Sequence, residues 1–92
     1  MIEIRFANTA AEKYKYLING IKKQVDDFLV NLSNGKIKAV SLMKLRPMSG
    51  RIRTFYFKKI GSLYIILAPE DGDWFIVDFL TESEFRKIRK RY

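Results

Sequence analysis

Apolar residues at every second position open the chain. Ile2, Ile4 and Phe6 alternate with Glu3 and Arg5, which predicts a strand over residues 2–7 with one apolar face. The period then lengthens. Thr9-Ala10-Ala11-Glu12 reads as a capping box, with a hydroxyl at the N-cap and a carboxylate at the third helical position. Ala11, Tyr14, Leu17 and Ile18 follow at helical spacing. Asn19-Gly20 interrupts the run. A second stripe of Ile21, Val25, Phe28, Leu29 and Leu32 predicts a second helix. Asn34-Gly35 stops it, with Gly35 suited to the left-handed C-terminal position. So short a break predicts an antiparallel helical hairpin, or else one kinked helix.

Beyond residue 36 the period returns to two. Residues 37–46 fit either an extended connection or a strand. Pro47-Met48-Ser49-Gly50 is a turn, and strands are predicted over Arg51–Lys59, Leu63–Ala68 and Trp74–Leu80. Lys59-Ile60-Gly61 and Pro69-Glu70-Asp71-Gly72 connect them, the Asp-Gly step being a hairpin signal. A second capping box, Thr81-Glu82-Ser83-Glu84, opens a short helix through Phe85, Ile88 and Arg91. The order is β-α-α-β-β-β-α. It predicts an α+β fold, an antiparallel sheet with the helical hairpin on one face and a short C-terminal helix.

At 92 residues the chain reads as one domain, 1–92, near the lower end of self-supporting size. Its 48% apolar content is too high for a disordered chain. No apolar run approaches the roughly 20 residues of a membrane span. The first residues lack the basic-then-apolar plan of a signal peptide, so no membrane and a cytoplasmic location are expected. The sequence contains neither cysteine nor histidine. Disulfides, thiolate metal sites, zinc hydrolases and Ser-His-Asp or Cys-His catalysis are thereby excluded. No metal or cofactor is expected, and proton transfer falls to Glu, Asp, Lys, Tyr or Arg.

Eighteen basic residues against ten acidic give +8, a balance that favours a polyanionic or acidic partner. The charge is clustered. Six of the ten acids lie between Glu70 and Glu84, and bases flank that stretch on both sides. Arg46, Arg51, Arg53, Lys58 and Lys59 lie on or beside the first hairpin of the sheet. Arg86, Lys87, Arg89, Lys90 and Arg91 close the chain before Tyr92. Two cations would satisfy a helix dipole; five suggest a phosphate contact or a dock for an acidic segment. Strand alternation puts Arg51, Arg53, Phe55, Phe57 and Lys59 on one face and Ile52, Thr54, Tyr56 and Lys58 on the other. Arginines beside aromatics can hold RNA by phosphate pairing and base stacking, although Phe55 and Phe57 serve equally well as core. Lys13, Lys15, Lys22 and Lys23 read as a solvated helix face. Trp74 and Phe75 read as core, and Glu82 and Glu84 as part of a cap.

This layout resembles the RelE/ParE toxin superfamily, the small toxins of toxin–antitoxin pairs. The resemblance covers nearly the whole chain. It runs through Lys44-Leu45-Arg46-Pro47-Met48-Ser49-Gly50, the strand Arg51–Lys59, Gly61-Ser62-Leu63-Tyr64-Ile65-Ile66, and the strand Trp74–Leu80. RelE-like members carry a Lys-Leu step before a basic strand, then a Gly-Tyr-Arg-x-x-Tyr strand. On the full-length register the motif's arginine falls at Leu63, and the basic end of the last strand becomes Thr81-Glu82. A shifted register sets Arg53-Thr54-Phe55-Tyr56 on the Arg-x-x-Tyr motif; it requires residues 37–46 to be a strand and leaves one strand extra at the end.

The resemblance implies a toxin that cleaves mRNA with the ribosome, without metal. Such chemistry needs the 2′-hydroxyl oriented and deprotonated and the phosphorane charge stabilised. In this sequence Arg53, Tyr56 and Lys58 are the implied catalytic residues, with Tyr56 the proton-transfer candidate. Lys44, Arg46, Arg51, Arg86, Arg89 and Tyr92 are the implied RNA contacts. The implied partners are an antitoxin, whose acidic segment would wrap the basic surface, and RNA or the ribosome. A ParE-like toxin without nuclease chemistry, or an inactive RNA-, DNA- or protein-binding module, is the alternative.

Overall fold

The computed structural model describes residues 2–38, 41–45 and 54–89. In chain order the elements are β1 Ile4–Phe6, α1 Asn8–Lys15, α2 Asn19–Ser33, β2 Met43–Leu45, β3 Phe55–Ile60, β4 Leu63–Glu70, β5 Asp73–Thr81 and α3 Glu82–Arg89. The class is α+β, as the change of period predicts. One sheet has the order β1-β5-β4-β3-β2. From β2 to β5 each strand runs antiparallel to the next. β1 lies on the far side of β5 and runs parallel to it, Ile4 opposite Trp74 and Phe6 opposite Ile76. The sheet expected to be antiparallel throughout therefore holds one parallel pair. Parallel neighbours need a long crossover, and the helical hairpin and the meander β2–β4 supply it. β2 is an added short strand in the segment that the sequence left open. Pro47–Gly50 and the first part of the strand expected from Arg51 lie outside the described residues.

The Ala7 amide donates to the Ile76 carbonyl at 2.9 Å, and Asn8 is already helical. Thr9 and Glu12 thus lie inside α1, and the first capping box does not form; Ala7 is the N-cap, with no side-chain bond. α2 begins at Asn19, so Asn19-Gly20 is its first turn and the break narrows to residues 16–18. The second capping box forms in full. The Glu84 amide donates to Thr81 Oγ1 at 3.2 Å, and the Thr81 amide donates to Glu84 Oε1 at 2.9 Å. Gly35 takes the left-handed conformation expected of it.

The sheet is buried on both faces. On one side Val25, Phe28 and Leu32 of α2 pack on Ile65, Leu67, Trp74, Ile76 and Phe79. On the other, Phe85 of α3 packs on Phe57, Tyr64, Ile66 and Leu80. Alternation along β3 and β4 delivers these two sets from the same strands. In β5 the alternation slips. Ile66 pairs with Asp78 but Leu67 pairs with Ile76, so Val77 is an extra residue at a β-bulge. Phe79 thereby returns to the face that holds Trp74 and Ile76.

Two turns set the ends of the meander. Asp71 and Gly72 both have positive φ, 51° and 85°, the two-residue geometry matched to strand twist. Gly61, at φ +60°, turns β3 into β4, and a Cβ built there would stand 2.6 Å from Ile21 Cδ1. That close approach sets the start of α2 against the β3–β4 turn.

Candidate functional site

The candidate residues divide over two faces and beyond the described chain. Arg46, Arg51, Arg53 and Tyr92 lie outside the described residues. Tyr56 stands in the middle of the β2–β3 ribbon, opposite Lys44 on β2 and opposite Leu67 on β4. Its ring is partly buried on the helical-hairpin side, edge-on to Trp74 with centroids 6.0 Å apart and planes at 77°. Lys58 follows two residues later, exposed. β2 pairs only with residues 55–57, so Lys58 and Lys59 occupy an outer edge of β3 beyond it. Charged side chains there also discourage pairing with another strand.

Arg86 belongs to the other side of the sheet. It rides on α3, exposed, 3.8 Å from Glu82 one turn earlier. Arg89 closes the same helix. Lys44, Tyr56 and Lys58 are thus neighbours on one ribbon, whereas Arg86 and Arg89 are carried by the helix that covers the opposite face. Phe57 is buried beneath α3 and Phe55 partly so, which answers the open choice between stacking and core: both pack in the core. Trp74 is core as well.

Several cations do work that the sequence does not announce. Lys13 reaches round the open edge of β5, 2.9 Å from Asp78 Oδ1 and 3.0 Å from the Phe79 carbonyl oxygen. Its partners lie more than sixty positions away in the chain, so no local pattern marks it. Lys22 Nζ lies 4.9 Å from the Tyr14 ring centroid, and Lys59 Nζ 5.7 Å from that of Tyr64. The Lys59–Tyr64 contact follows from direct cross-strand pairing.

Two titrations are displaced. The Tyr14 hydroxyl donates to Asp26 Oδ1. That bond, then burial, then the Asp26 charge hold the phenol above its ordinary value. Glu84 is held below the ordinary carboxylate value chiefly by the bond from the Thr81 amide, which outweighs the opposing effect of burial, with a lesser contribution from the Lys13 charge. Both groups serve the frame: one ties α1 to α2, the other caps α3.

Beneath α3 an apolar groove runs between Leu45, Phe55, Val77 and Ile88, with Asp78 at its side. Among the described residues no cluster of carboxylates is arranged to hold a metal ion. No helix among them is long and apolar enough to cross a membrane. Tyr56 and Lys58 stand two positions apart on β3, so strand alternation gives a phenol and an exposed ammonium to the same face.

No family model matches the sequence, and no curated protein matches it. Solved structures do. The RelB–RelE antitoxin–toxin complex from Methanococcus jannaschii contains a chain with TM-score 0.68 at 15% identity, covering 91% of this chain and 96% of that one. The intact E. coli RelBE toxin–antitoxin complex gives 0.65 at 15% identity, covering 88% and 96%. The isolated E. coli RelE toxin gives 0.65 at 18% identity, covering 98% of both chains. With the helical hairpin on one face of the sheet and α3 on the other, the chain has a RelE-like fold along nearly its whole length.

Proposed function

We propose that the protein is the toxin of a toxin–antitoxin pair and that it acts on RNA. The observation that carries this reading is whole-length likeness to RelE chains in a chain with a net charge of +8. Two of the three similar structures are complexes of toxin with antitoxin, and an antitoxin with an acidic segment suits so basic a partner. The finer reading is metal-independent mRNA cleavage with the ribosome, in the cytoplasm. Arg53 would stabilise the phosphorane, Tyr56 would move the proton and Lys58 would hold the phosphate. Lys44, Arg46, Arg51, Arg86, Arg89 and Tyr92 would contact the RNA. The proximity of Tyr56 and Lys58 on β3 supports it.

A second reading is a toxin that binds its target without cutting RNA. It is favoured by Leu63, which stands where the full-length register expects an arginine and packs against the hairpin core. Against it, β2 falls at Met43–Leu45, inside the segment that the shifted register needs as a strand, and that register keeps an arginine at Arg53.

Induction in a bacterial host, with and without a candidate antitoxin, followed by mapping of mRNA ends, separates the two. Cleavage that disappears in Arg53→Ala and Tyr56→Phe supports the nuclease. Growth arrest with intact mRNA, undiminished in both variants, leaves the binding toxin. Absence of arrest overturns the toxin assignment itself.

A further inference from the structure

The last turn of α1 and the root of α3 meet at one edge of the sheet. β1 covers the outer side of β5 at Trp74, Phe75 and Ile76. Past that point, up to Thr81, no strand among the described residues lies on this side. Side chains take its place. The Phe79 amide donates to Asp78 Oδ1 at 2.8 Å. Lys13 Nζ donates to the Phe79 carbonyl at 3.0 Å and lies 2.9 Å from the same Asp78 oxygen. Both main-chain groups of Phe79 are thus held, and the ion pair fastens α1 to the end of β5. α3 begins at Glu82, three positions further on, with the Thr81 amide donating to Glu84 Oε1. Among its described residues that helix has few anchors of its own: Phe85 is buried, and Ile88 lines the groove that Asp78 also lines. Its stance on the sheet depends on where β5 ends.

We propose that Lys13 is a positioning residue: by clamping Asp78 and Phe79 it sets the root of α3, and so aims Arg86 and Arg89 at RNA. The inference rests on the reading that the protein acts on RNA and names what orients two of its implied contacts. Lys13 touches no phosphate in this role, because its ammonium group already has two acceptors on β5. Hydrogen bonds that carry charge are stronger than neutral ones, and these hold a strand end that has a strand neighbour on one side alone. The role also accounts for Asp78. An acid beside a basic helix weakens attraction for a polyanion unless it keeps that helix in place.

The test combines fluorescence anisotropy, with the purified full-length chain and a short unstructured RNA, and amide hydrogen exchange followed by mass spectrometry. Asp78→Ala is the deciding variant. It removes a negative charge from a protein that binds a polyanion, which by charge alone strengthens binding. Loss of the clamp predicts the opposite sign, a weakening of about threefold. Lys13→Met should weaken binding by the same factor, and Lys13→Arg should restore it. Lys13→Met combined with Asp78→Ala should be no worse than either alone, since both act through one contact. In the weakened variants the amides of α3 should exchange about fivefold faster while those of β4 keep their rate. Stronger binding in Asp78→Ala, additive losses in the double variant, or unchanged exchange in α3 would each overturn the proposal. So would equal acceleration in α3 and β4, the mark of general destabilisation. A loss confined to Lys13→Met, with a flatter dependence on salt, would make Lys13 a phosphate contact and overturn it too. The result is separable from the RNA reading. A native chain without affinity for RNA removes that reading; faster exchange of α3 in Lys13→Met and Asp78→Ala then still supports the clamp, and unchanged exchange overturns it.

Discussion

The ring of Tyr64 lies flat against that of Phe85, with centroids 3.9 Å apart and planes within 4°. Phe57 closes on Phe85 from the side, 4.7 Å away at 55°. This stack fixes α3 to the sheet, because Phe85 is the one fully buried side chain among the described residues of that helix. On the opposite face Phe28 does the equivalent for α2.

Phe85→Ala and Phe28→Ala should each cost about 3–5 kcal/mol, through lost burial and the cavity left behind. A domain this small has roughly 5–15 kcal/mol in all. The gentler Phe85→Leu and Phe28→Leu variants keep the protein folded for comparison. The sheet separates the two sites, so their effects in chemical denaturation should add to within about 0.5 kcal/mol. Strong coupling would mean that the two layers do not melt as independent neighbours of one sheet.

Tyr14→Phe removes the hydroxyl bond to Asp26 that ties α1 to α2. It should cost about 1 kcal/mol at neutral pH. The sign of the alkaline effect follows from the raised phenol. A proton held more tightly in the folded state stabilises it fully below the ordinary tyrosine value, 10.0. That contribution is lost as pH rises from there through the raised value. Thermal melts in this window should fall more steeply for the native chain than for Tyr14→Phe, and parallel curves would show that the bond is not maintained in solution.

Gly61→Ala should destabilise by about 1–2 kcal/mol, the strain of an L-residue in the left-handed region. The added methyl also presses on Ile21 Cδ1. Ile21→Val withdraws that atom, so the double variant should recover the steric part and retain the conformational part. Equal stability of Gly61→Ala and the native chain in denaturant titration would contradict the turn geometry.

Thr81→Ala removes the side-chain acceptor for the Glu84 amide and should cost about 1 kcal/mol. Glu84, held below the ordinary carboxylate value, contributes stability that is whole above the unfolded value and lost as pH falls through the folded one. Measured from its own neutral-pH stability, Glu84→Gln should therefore lose less on acidification than the native chain, seen as a shallower acid limb in unfolding followed by circular dichroism. Coincident acid limbs would place the carboxylate outside the cap.

Much of this architecture is legible in the residues themselves. Phe28 and Leu32 face the sheet because their spacing gives α2 one apolar stripe. Thr81 and Glu84 announce α3 because a capping box needs only four adjacent positions. The misreadings share a different cause. Thr9-Ala10-Ala11-Glu12 carries the same local signature as Thr81–Glu84, yet α1 starts earlier because the Ala7 amide is held by β5, nearly seventy residues away. The parallel pairing of β1 and the capture of Lys13 by Asp78 are likewise long-range. Strand alternation correctly separates Tyr56 from Phe55 and Phe57. It cannot show that Trp74 would stand edge-on to Tyr56, because that contact joins non-adjacent strands.

The bulge at Val77 changes what β5 tolerates in length. A regular strand cannot lose a residue without exchanging the faces of everything beyond the cut. At Val77 the strand already holds one residue more than its partner, so excising it would restore a simple pleat and leave Trp74, Ile76, Phe79 and Leu80 on the sides they now occupy. The same excision at Phe75 would turn Trp74 toward α3 or leave the bulge to migrate. In β5 the tolerance to deletion is therefore concentrated at Val77, in the interior of the strand rather than at its turns.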